Sequence, residues 1–336
     1  MNAQHLILNA VYYAGDFFSD DLKKHYDVRK VAHTRDLTHE ELIDLIEDAE
    51  AIIASDERYT KRTFDVAKRL RIVLRYGVGI DNIDVIEATN RKIIVTNLPG
   101  ANAQSVAEHT VGMMFALARR FPNVARDLRP NTWDQMGNEC YGVKKPFELR
   151  GKTLGIIGLG EIGAKIAEIS SALGMSILSF DPYVNNIKAT NASVKLVDLT
   201  TLLSTSDIVT IHVPLTGETK HMISKDQLKI MKRSAIIINA SRGAVVEESG
   251  LYAALKDGLI AAAGLDVLEK EPPDENNPLF TLANVMITPH YGGSSIETAM
   301  RSDAIVEEQI RNAFAGIIPR FVVNPAVVGL QKIRKQ

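Results

Sequence analysis

The chain has 336 residues, of which 46% are hydrophobic and 24% are charged, and its formal net charge is −2. This length suggests about two globular domains, and the balanced charge excludes a strong attraction to nucleic acid or to an anionic membrane. No apolar stretch approaches the roughly 20 residues of a membrane-spanning helix. The N-terminal segment lacks a basic region, so we expect a first strand there and not a signal peptide. A single cysteine, Cys140, excludes an intrachain disulfide and predicts a reducing, cytoplasmic location.

Short apolar runs alternate with helical patterns through residues 1–100. The pattern predicts strands at 5–8, 51–54, 71–75 and 92–96, and helices at 38–50, where Thr38 opens a capping box, and at 60–69. Such alternation indicates a parallel sheet covered by helices. No glycine fingerprint occurs in this part, so we interpret it as a lobe without a nucleotide site. A helix is predicted over 103–120, as a spine or dimer surface, and residues 121–150 are predicted to be irregular, an arm that could reach a partner subunit.

A glycine-rich turn follows the buried-strand signal at 154–157. Its residues are Gly158, Leu159, Gly160, Glu161, Ile162 and Gly163. A strand precedes this turn, a helix follows it, and Asp181 lies at the end of the next strand. This is the structural context that a lone G-x-G-x-x-G lacks. Gly158 permits the sharp turn, Gly160 lets a pyrophosphate reach the backbone, and Gly163 allows helix and strand to pack closely. The positive end of the helix would then hold the anion.

Asp181 lies 18 residues after Gly163 and would accept a hydrogen bond from a ribose 2′-hydroxyl. The same carboxylate would repel a 2′-phosphate, and no Arg or Lys follows it until Lys188. The sequence therefore predicts NAD, and not NADP, as the cofactor. The alternative is a glycine turn that binds no ligand.

Alternation of strands and helices continues after the fingerprint. Strands are predicted at 208–213, 235–239, 260–267 and 285–288, and helices after the Ser224 capping box, at 247–256 and at 295–314. The last helix is expected to return to the N-terminal lobe. The chain would then cross between lobes near Gly100 and near Gly292, forming a hinge around a cleft.

Three predicted strands of the second lobe are followed by an Arg, a Glu and a His. Because ligands bind beyond the carboxyl ends of parallel strands, we expect Arg242, Glu271 and His290 to lie at the cofactor edge. Arg242 would hold a substrate carboxylate bidentately. His290 would exchange a proton with the substrate oxygen, and Glu271 would orient the imidazole and raise its pKa.

Each of these residues also has a purely structural interpretation. Arg242 alone could form a surface salt bridge, and His290 could cap a turn. Glu269 competes with Glu271 for the carboxylate role. His212 ends a strand, where packing and an adenine contact are both open, and His109 is interpreted as structural. The sequence contains no Cys/His cluster of the kind that would predict a metal site. In the first lobe, the loop Tyr76-Gly77-Val78-Gly79 either presents backbone N–H groups to a small anion or is only a tight turn.

Seven stretches are characteristic of one family: RYGVGIDNID (75–84), NLPGANAQSVAEH (97–109), LRGKTLGIIGLGEIG (149–163), HVPLT (212–216), NASRGAVV (239–246), AAGLDVLEKEP (262–272) and TPHYGG (288–293). With them the chain resembles the D-isomer-specific 2-hydroxyacid dehydrogenases, which include phosphoglycerate dehydrogenases and glyoxylate/hydroxypyruvate reductases. The resemblance implies an α/β fold of two Rossmann-like parallel-sheet lobes. In it, an NAD-binding domain, 102–292, is inserted in a flavodoxin-like substrate domain, 1–101 and 293–336.

The resemblance also assigns roles to single residues. Arg242, Glu271 and His290 become catalytic, Val78 and Gly79 bind the substrate carboxylate, and Asp266 lies near the nicotinamide carboxamide. Further cofactor contacts are implied for Glu161, Ile162, His212, Pro214, Thr219, Ala240, Ser241 and Gly292. A homodimer joined through the nucleotide domain is implied as well.

Two features depart from the common family pattern. Glu161 stands where many members carry Arg. Ala54 and Asp56 stand where phosphoglycerate dehydrogenases commonly place arginines for the phosphate, although Arg58, Lys61 or Arg75 could still serve a phosphate. The resemblance therefore ranks hydroxypyruvate and glyoxylate ahead of 3-phosphoglycerate, and no C-terminal regulatory domain is expected. A non-catalytic NAD(H) sensor that regulates a partner is the alternative function.

Overall fold

The computed structural model describes residues 5–11, 14–31, 39–141, 145–184 and 194–328. Thr38 and Lys188, which the sequence analysis used, lie outside these ranges. The chain divides into two compact units. The first unit comprises Met1–Asn102 and Ser294–Gln336, and the second comprises Ala103–Gly293.

The first unit is built on a parallel sheet whose described strands run in the order β2-β1-β3-β4-β5. Its strands are β1 (His5–Asn9), β2 (Tyr26–Lys30), β3 (Ala51–Ala54), β4 (Ile72–Arg75) and β5 (Ile94–Thr96), and its helices are α1 (Asp20–His25), α2 (His39–Ile46), α3 (Lys61–Val66) and α4 (Val85–Asn90). This order is the flavodoxin-like one, so the predicted fold class is confirmed for this unit. All four residues of β3 are buried, as expected of a central parallel strand covered on both faces.

The sequence analysis missed α1, β2 and α4 and extended α3 too far. Only Leu22 is buried in α1, and β2 is an edge strand in which no residue is fully buried, so neither has a strong apolar period. Helix α3 was predicted to residue 69 but ends at Val66, because Ala67 leaves the helical region with φ −75° and ψ 66°.

The second unit is built on a parallel sheet of order β12-β11-β10-β9-β6-β7-β8. Its strands are β6 (Thr153–Ile157), β7 (Ser176–Phe180), β8 (Lys195–Leu196), β9 (Ile208–Ile211), β10 (Ile236–Asn239), β11 (Ala262–Leu265) and β12 (Val285–Ile287). Its helices are α5 (Ala103–Ala118), α6 (Phe121–Asp127), α7 (Trp133–Tyr141), α8 (Glu161–Ala172), α9 (Leu199–Thr205), α10 (Lys225–Lys229) and α11 (Glu248–Lys256). The order reverses between β6 and β9, which is the switch point of a Rossmann sheet, where dinucleotides bind.

The prediction that residues 121–150 are irregular was wrong. Helices α6 and α7 occupy much of this stretch. Their apolar side chains include Phe121 and Trp133, which are 59% and 68% exposed, so they follow no core-facing stripe that periodicity could detect. Strand β8 and helix α9 were missed as well.

The long helix α12 (Ile296–Phe314) packs in the first unit, as expected of the last helix. Ser295 caps it by accepting a hydrogen bond from the amide of Thr298. Val306 and Ile310 join the core that contains Ile7 and Ile72. No helix in the described ranges is long and apolar enough to cross a membrane.

Candidate active site and nucleotide-binding turn

The glycine turn between β6 and α8 combines close packing with one open position. Gly158 has a φ of +93°, and a Cβ there would lie 2.6 Å from the carbonyl oxygen of His212. A Cβ at Gly163 would lie 2.2 Å from the carbonyl oxygen of Gly158. A Cβ at Gly160, the N-cap of α8, would meet no atom within 4 Å. The backbone is therefore open where a pyrophosphate would approach the helix N-terminus, so these residues fit a dinucleotide.

Asp181 follows β7 and is tied to this turn. Its Oδ2 accepts a hydrogen bond from the amide of Leu159 at 2.8 Å, and its Oδ1 accepts one from Tyr183 at 2.9 Å. Each carboxylate oxygen has a second lone pair, so the side chain can still accept from a hydroxyl. Glu161 is exposed in the first turn of α8, while the side chain of Ile162 packs against the core. The polar groups that Ile162 could offer to a ligand are those of its backbone.

His212 follows β9, and its Nδ1 is shielded from solvent. Burial lowers its pKa to about 3. Its Nε2 lies 2.6 Å from Oγ1 of Thr210, and its Nδ1 has no partner within the described ranges. Pro214 and Thr219 close the loop beyond it, because Thr219 Oγ1 donates to the carbonyl oxygen of Pro214 at 2.6 Å. The loop after β9 therefore begins at a histidine whose ring contacts a threonine of that strand.

Asn239, at the end of β10, organises the turn that carries Arg242. Its Oδ1 accepts hydrogen bonds from the amide and the hydroxyl of Ser241, at 3.1 and 2.9 Å. Its Nδ2 donates to the carbonyl oxygen of Arg242 at 2.9 Å. Arg242 Nη1 donates to the carbonyl oxygen of Ser241 at 2.8 Å. The side chain of Asn239 thus fixes the backbone from Ala240 to Arg242.

Gly243 brings this turn against the loop that follows β11. A Cβ at Gly243 would lie 1.9 Å from the carbonyl carbon of Leu268, so only glycine fits there. The amide of Leu268 in turn donates to Oε1 of Glu271 at 2.9 Å. The turn of Arg242 and the loop of Glu271 are therefore packed backbone to backbone.

His290 and Glu271 are in direct contact at this edge of the sheet. Nδ1 of His290 lies 2.6 Å from Oε2 of Glu271. His290 has a φ of +52°, and its amide donates to the carbonyl oxygen of Asp266 at 2.8 Å. Burial raises the pKa of Glu271, but the hydrogen bond to His290, the amide of Leu268 and the charge of Arg242 outweigh it, so that pKa lies below its usual value. Glu271 is thus held as a carboxylate facing the imidazole.

The competing acid, Glu269, has a different partner. Its Oε1 lies 2.7 Å from Nε2 of His221 and accepts a hydrogen bond from the amide of Glu248 at 3.1 Å. The geometry therefore pairs Glu271, and not Glu269, with His290.

Asp266 is buried and fixes the segment that carries His290. Its Oδ1 accepts from Thr288 Oγ1 at 2.6 Å and from the amide of Tyr291 at 3.1 Å, and its Oδ2 accepts from the amide of Gly292 at 2.9 Å. Nε2 of His109, on α5, lies 3.5 Å from Oδ1. These contacts hold both ends of the His290 segment.

The predicted anion loop, Tyr76 to Gly79, begins where β4 ends in the first unit. The hydroxyl of Tyr76 donates to Oδ1 of the buried Asp303, on α12, at 2.8 Å. Asn97 Nδ2 donates to the carbonyl oxygen of Val78 at 2.8 Å, and the amide of Leu98 donates to that of Gly77 at 2.9 Å. The loop is held from both sides, and its role in substrate binding stays a prediction.

Sequence reasoning missed three residues that shape these sites: Asn239, Thr288 and Asp303. An Asn at a strand end is a recognisable signal, because its side chain can bond the backbone two residues on. Thr288 and Asp303 gave no signal, since they act on partners distant in sequence. No group of three His, Cys, Asp or Glu side chains in the described ranges could hold a metal ion.

A Rossmann sheet with a glycine turn, and an acid at the end of its second strand, defines a dinucleotide-binding α/β protein. Residues 111–292 match the family model described as D-isomer specific 2-hydroxyacid dehydrogenase, NAD binding domain. The chain belongs to this family, and its second unit carries the NAD-binding domain.

Relatives of known name fall into more than one branch of the family. The chain is 42% identical to a D-3-phosphoglycerate dehydrogenase of Methanocaldococcus jannaschii, over 94% of this chain and 59% of that protein. It is 41% identical to a glyoxylate reductase of Korarchaeum cryptofilum, over 85% of this chain and 86% of that protein. The chain thus spans little more than half the length of the phosphoglycerate dehydrogenase that it matches.

Solved structures share the fold. The D-lactate dehydrogenase of Aquifex aeolicus, complexed with NAD and lactic acid, superposes with a TM-score of 0.78 at 26% identity. The alignment covers 93% of this chain and 96% of that one. The predicted family and fold class are confirmed.

Proposed function

We propose that the chain is an NAD-dependent oxidoreductase acting on a small D-2-hydroxy acid and its 2-oxo acid. The observation that carries the proposal is the 2.6 Å contact between His290 and Glu271, beside the turn of Arg242. It lies in the unit that matches the NAD-binding domain of the family. An imidazole held by a carboxylate, next to a guanidinium, suits proton exchange on a carboxylate-bearing substrate.

Each residue of the trio has a distinct role in this proposal. Arg242 binds the substrate carboxylate through its planar guanidinium. Because Nδ1 of His290 faces Glu271, the proton exchanged with the substrate oxygen is the one on Nε2. Glu271 stabilises the imidazolium and fixes the ring. Bound NADH supplies the hydride, and the protein supplies orientation and electrostatics.

Asp181 supports a preference for NAD over NADP. Its carboxylate lies at the glycine turn, bound to the amide of Leu159, where it would accept from a 2′-hydroxyl and repel a 2′-phosphate. Pro214, Thr219, Ala240, Ser241 and Gly292 are proposed as further cofactor contacts because they lie after β9, β10 and β12, at the same edge of the sheet. His212 is proposed to shape this edge by packing.

Substrate and assembly are also proposals. Hydroxypyruvate and glyoxylate rank ahead of 3-phosphoglycerate, with Tyr76, Gly77, Val78 and Gly79 contributing to binding of the acid. A homodimer through the second unit is supported by exposed apolar side chains there, among them Phe121 and Trp133. A reducing, cytoplasmic location suits the single cysteine.

The experiment that tests the proton-exchange role compares two histidine variants. His290→Asn should lower kcat for hydroxypyruvate reduction by about a hundredfold or more, the usual effect of losing a general acid. NADH binding, followed by fluorescence titration, should be unchanged. His221→Asn is the matched control, because His221 also contacts a glutamate in the same unit.

Near-normal turnover of His290→Asn would remove His290 from the mechanism. Tight NADH binding by the unaltered protein without turnover of any 2-oxo acid would favour the NAD(H)-sensing alternative.

A further inference from the structure

His109, on α5, lies beside the segment that carries His290. Helix α5 packs closely over β11, because a Cβ at Gly264 would lie 3.3 Å from the sulfur of Met113. His109 lies one helical turn before Met113, and its Nε2 lies 3.5 Å from Oδ1 of Asp266, which follows β11. Its side chain is 14% exposed. A side chain of α5 thus reaches the carboxyl end of the second sheet.

The imidazole of His109 contacts the segment on both sides of His290. Nε2 lies 3.2 Å from Oγ1 of Thr288, two residues before His290. The ring stands edge-on to that of Tyr291, with 5.0 Å between the ring centroids. A Cβ at Gly292 would lie 2.9 Å from Cδ2 of His109, so the histidine also packs against the backbone there. The contacts therefore flank the residue proposed to exchange the proton.

The hydrogen bonds of Thr288 define the protonation of the facing nitrogen. The hydroxyl of Thr288 donates its one proton to Oδ1 of Asp266 at 2.6 Å, because an ionised carboxylate can only accept. The same hydroxyl must then accept from His109, so Nε2 carries a proton. A chain of hydrogen bonds thus runs from His109 through Thr288 to Asp266, whose carboxylate accepts from the amides of Tyr291 and Gly292.

The backbone of His290 depends on this support. Its φ of +52° lies in the left-handed region, which residues with a Cβ rarely adopt unless the surrounding structure enforces it. The amide of His290 donates to the carbonyl oxygens of Asp266 and Thr288, at 2.8 and 3.0 Å. From this backbone the imidazole contacts Glu271 at 2.6 Å. A displacement of Thr288 or Asp266 would therefore move the imidazole relative to Glu271.

We propose that His109 is a positioning residue, which acts through Thr288 and Asp266 to hold the backbone that directs His290 toward Glu271. The effect on turnover rests on the proposed function, whereas the effect on the position of His290 does not.

His109→Phe tests the hydrogen bond, because it keeps a ring against Tyr291 and removes Nε2. We expect kcat for hydroxypyruvate reduction to fall about tenfold, since a displacement of about 1 Å can cost up to a hundredfold in rate. KM, and the Kd for NADH from fluorescence titration, should stay within about threefold. His109→Gln places an amide donor near the position of Nε2 and should recover most of the loss.

The pH profile separates this role from a purely structural one. The charged groups around His290 are Glu271, in contact with its imidazole, Asp266, bound to its segment, and Arg242, whose charge acts on Glu271. An imidazole that moves away from Glu271 loses stabilisation of its charged form. The limb on which the rate declines with rising pH should therefore move to lower pH in His109→Phe. NMR of isotope-labelled histidine rings should show the same decrease in the pKa of His290 without any turnover.

Thr110→Val is the matched control. Thr110 follows His109 on α5 and is fully buried, and its Oγ1 donates to the carbonyl oxygen of Val106 within the helix at 2.8 Å. Its loss acts on stability alone and should leave the pH profile unchanged.

Thr288→Val removes the hydroxyl that His109 reaches. Alone it should move the pH limb in the same direction, which keeps the inference testable if His109→Phe does not fold. Adding His109→Phe to Thr288→Val should lower kcat no further, because the two residues act in one chain of hydrogen bonds.

An unchanged limb and an unchanged titration of His290 in His109→Phe would overturn this inference. A limb that moved to higher pH would also overturn it, because His109 would then act through a positive charge. NADH binding weakened by more than the fall in kcat would assign His109 to the cofactor, against the role stated here.

The proposed function fails separately. Turnover of hydroxypyruvate by the unaltered protein, lost in His290→Asn, would uphold that function even if His109→Phe behaved normally. Absence of turnover, together with a shifted titration of His290 in His109→Phe, would overturn the function and uphold the positioning role of His109.

Discussion

Three residues outside the proposed catalytic trio fix its geometry. Asn239 holds the turn of Arg242, Gly243 lets that turn contact the Glu271 loop, and Asp266 holds the segment of His290. The trio therefore depends on backbone positions that polar side chains and one glycine determine. As a result, the carboxylate of Glu271 has a lowered pKa and contacts the imidazole of His290.

Replacing Glu271 with Gln tests that electrostatic coupling. The carboxylate stabilises the imidazolium, so its removal should lower the pKa at which His290 loses its proton. We expect kcat for hydroxypyruvate reduction to fall about tenfold to a hundredfold. The limb of the pH profile on which the rate declines with rising pH should move to lower pH. Steady-state kinetics between about pH 5 and pH 9 would measure both effects.

Glu269→Gln is the control for this prediction, because Glu269 contacts His221. Its pH profile should match that of the unaltered protein. If Glu271→Gln kept the original limb while Glu269→Gln shifted it, the roles of the two glutamates would be reversed.

Parallel strands of the second unit carry the candidate site at their carboxyl ends. β6 leads to the glycine turn, β7 to Asp181, β9 to His212, β10 to Arg242 and β12 to His290. His212 differs from the other side chains of this set in that its Nδ1 is shielded from solvent, and this desolvation lowers its pKa.

The lowered pKa of His212 predicts that the second unit loses stability in acid. Its pKa is about 3 in the folded chain, against an ordinary 6.5, so protonation favours unfolding. The stabilisation is complete above pH 6.5 and declines by about 1.4 kcal/mol per pH unit below it. Between about pH 7.5 and pH 5, the unaltered protein should lose about 2 kcal/mol more of its free energy of unfolding than His212→Gln loses. Denaturant unfolding at both pH values would measure the difference.

Equal losses in the unaltered protein and in His212→Gln would contradict a buried, neutral His212.

Sequence patterns predicted the fully buried strands and missed short elements that bury no more than two side chains. The strand at 51–54 was predicted with the observed bounds, because AIIA is apolar throughout and fully buried. The helix at 133–141 was missed because, over residues 133–140, Trp133 is exposed and Met136 is the one buried residue. Arg242, Glu271 and His290 could be predicted from their positions after strands. Asp303 could not, because its partner Tyr76 is 227 residues away in sequence.

At the scale of the whole molecule, our proposal gives different roles to the two α/β units, each of which is built on a parallel sheet. The second unit contains the glycine turn, Asp181 and the trio. The first contains the Tyr76 loop. Relatives of this chain include a phosphoglycerate dehydrogenase and a glyoxylate reductase.

The most direct measurement is NADH oxidation by the unaltered protein, followed by absorbance, with hydroxypyruvate, glyoxylate, 3-phosphohydroxypyruvate and pyruvate. NADPH replaces NADH in a parallel series. We predict turnover with NADH, little with NADPH, and a higher kcat/KM for hydroxypyruvate or glyoxylate than for the phosphorylated acid. Binding of NADH without turnover of any of the four acids would contradict the proposed oxidoreductase activity.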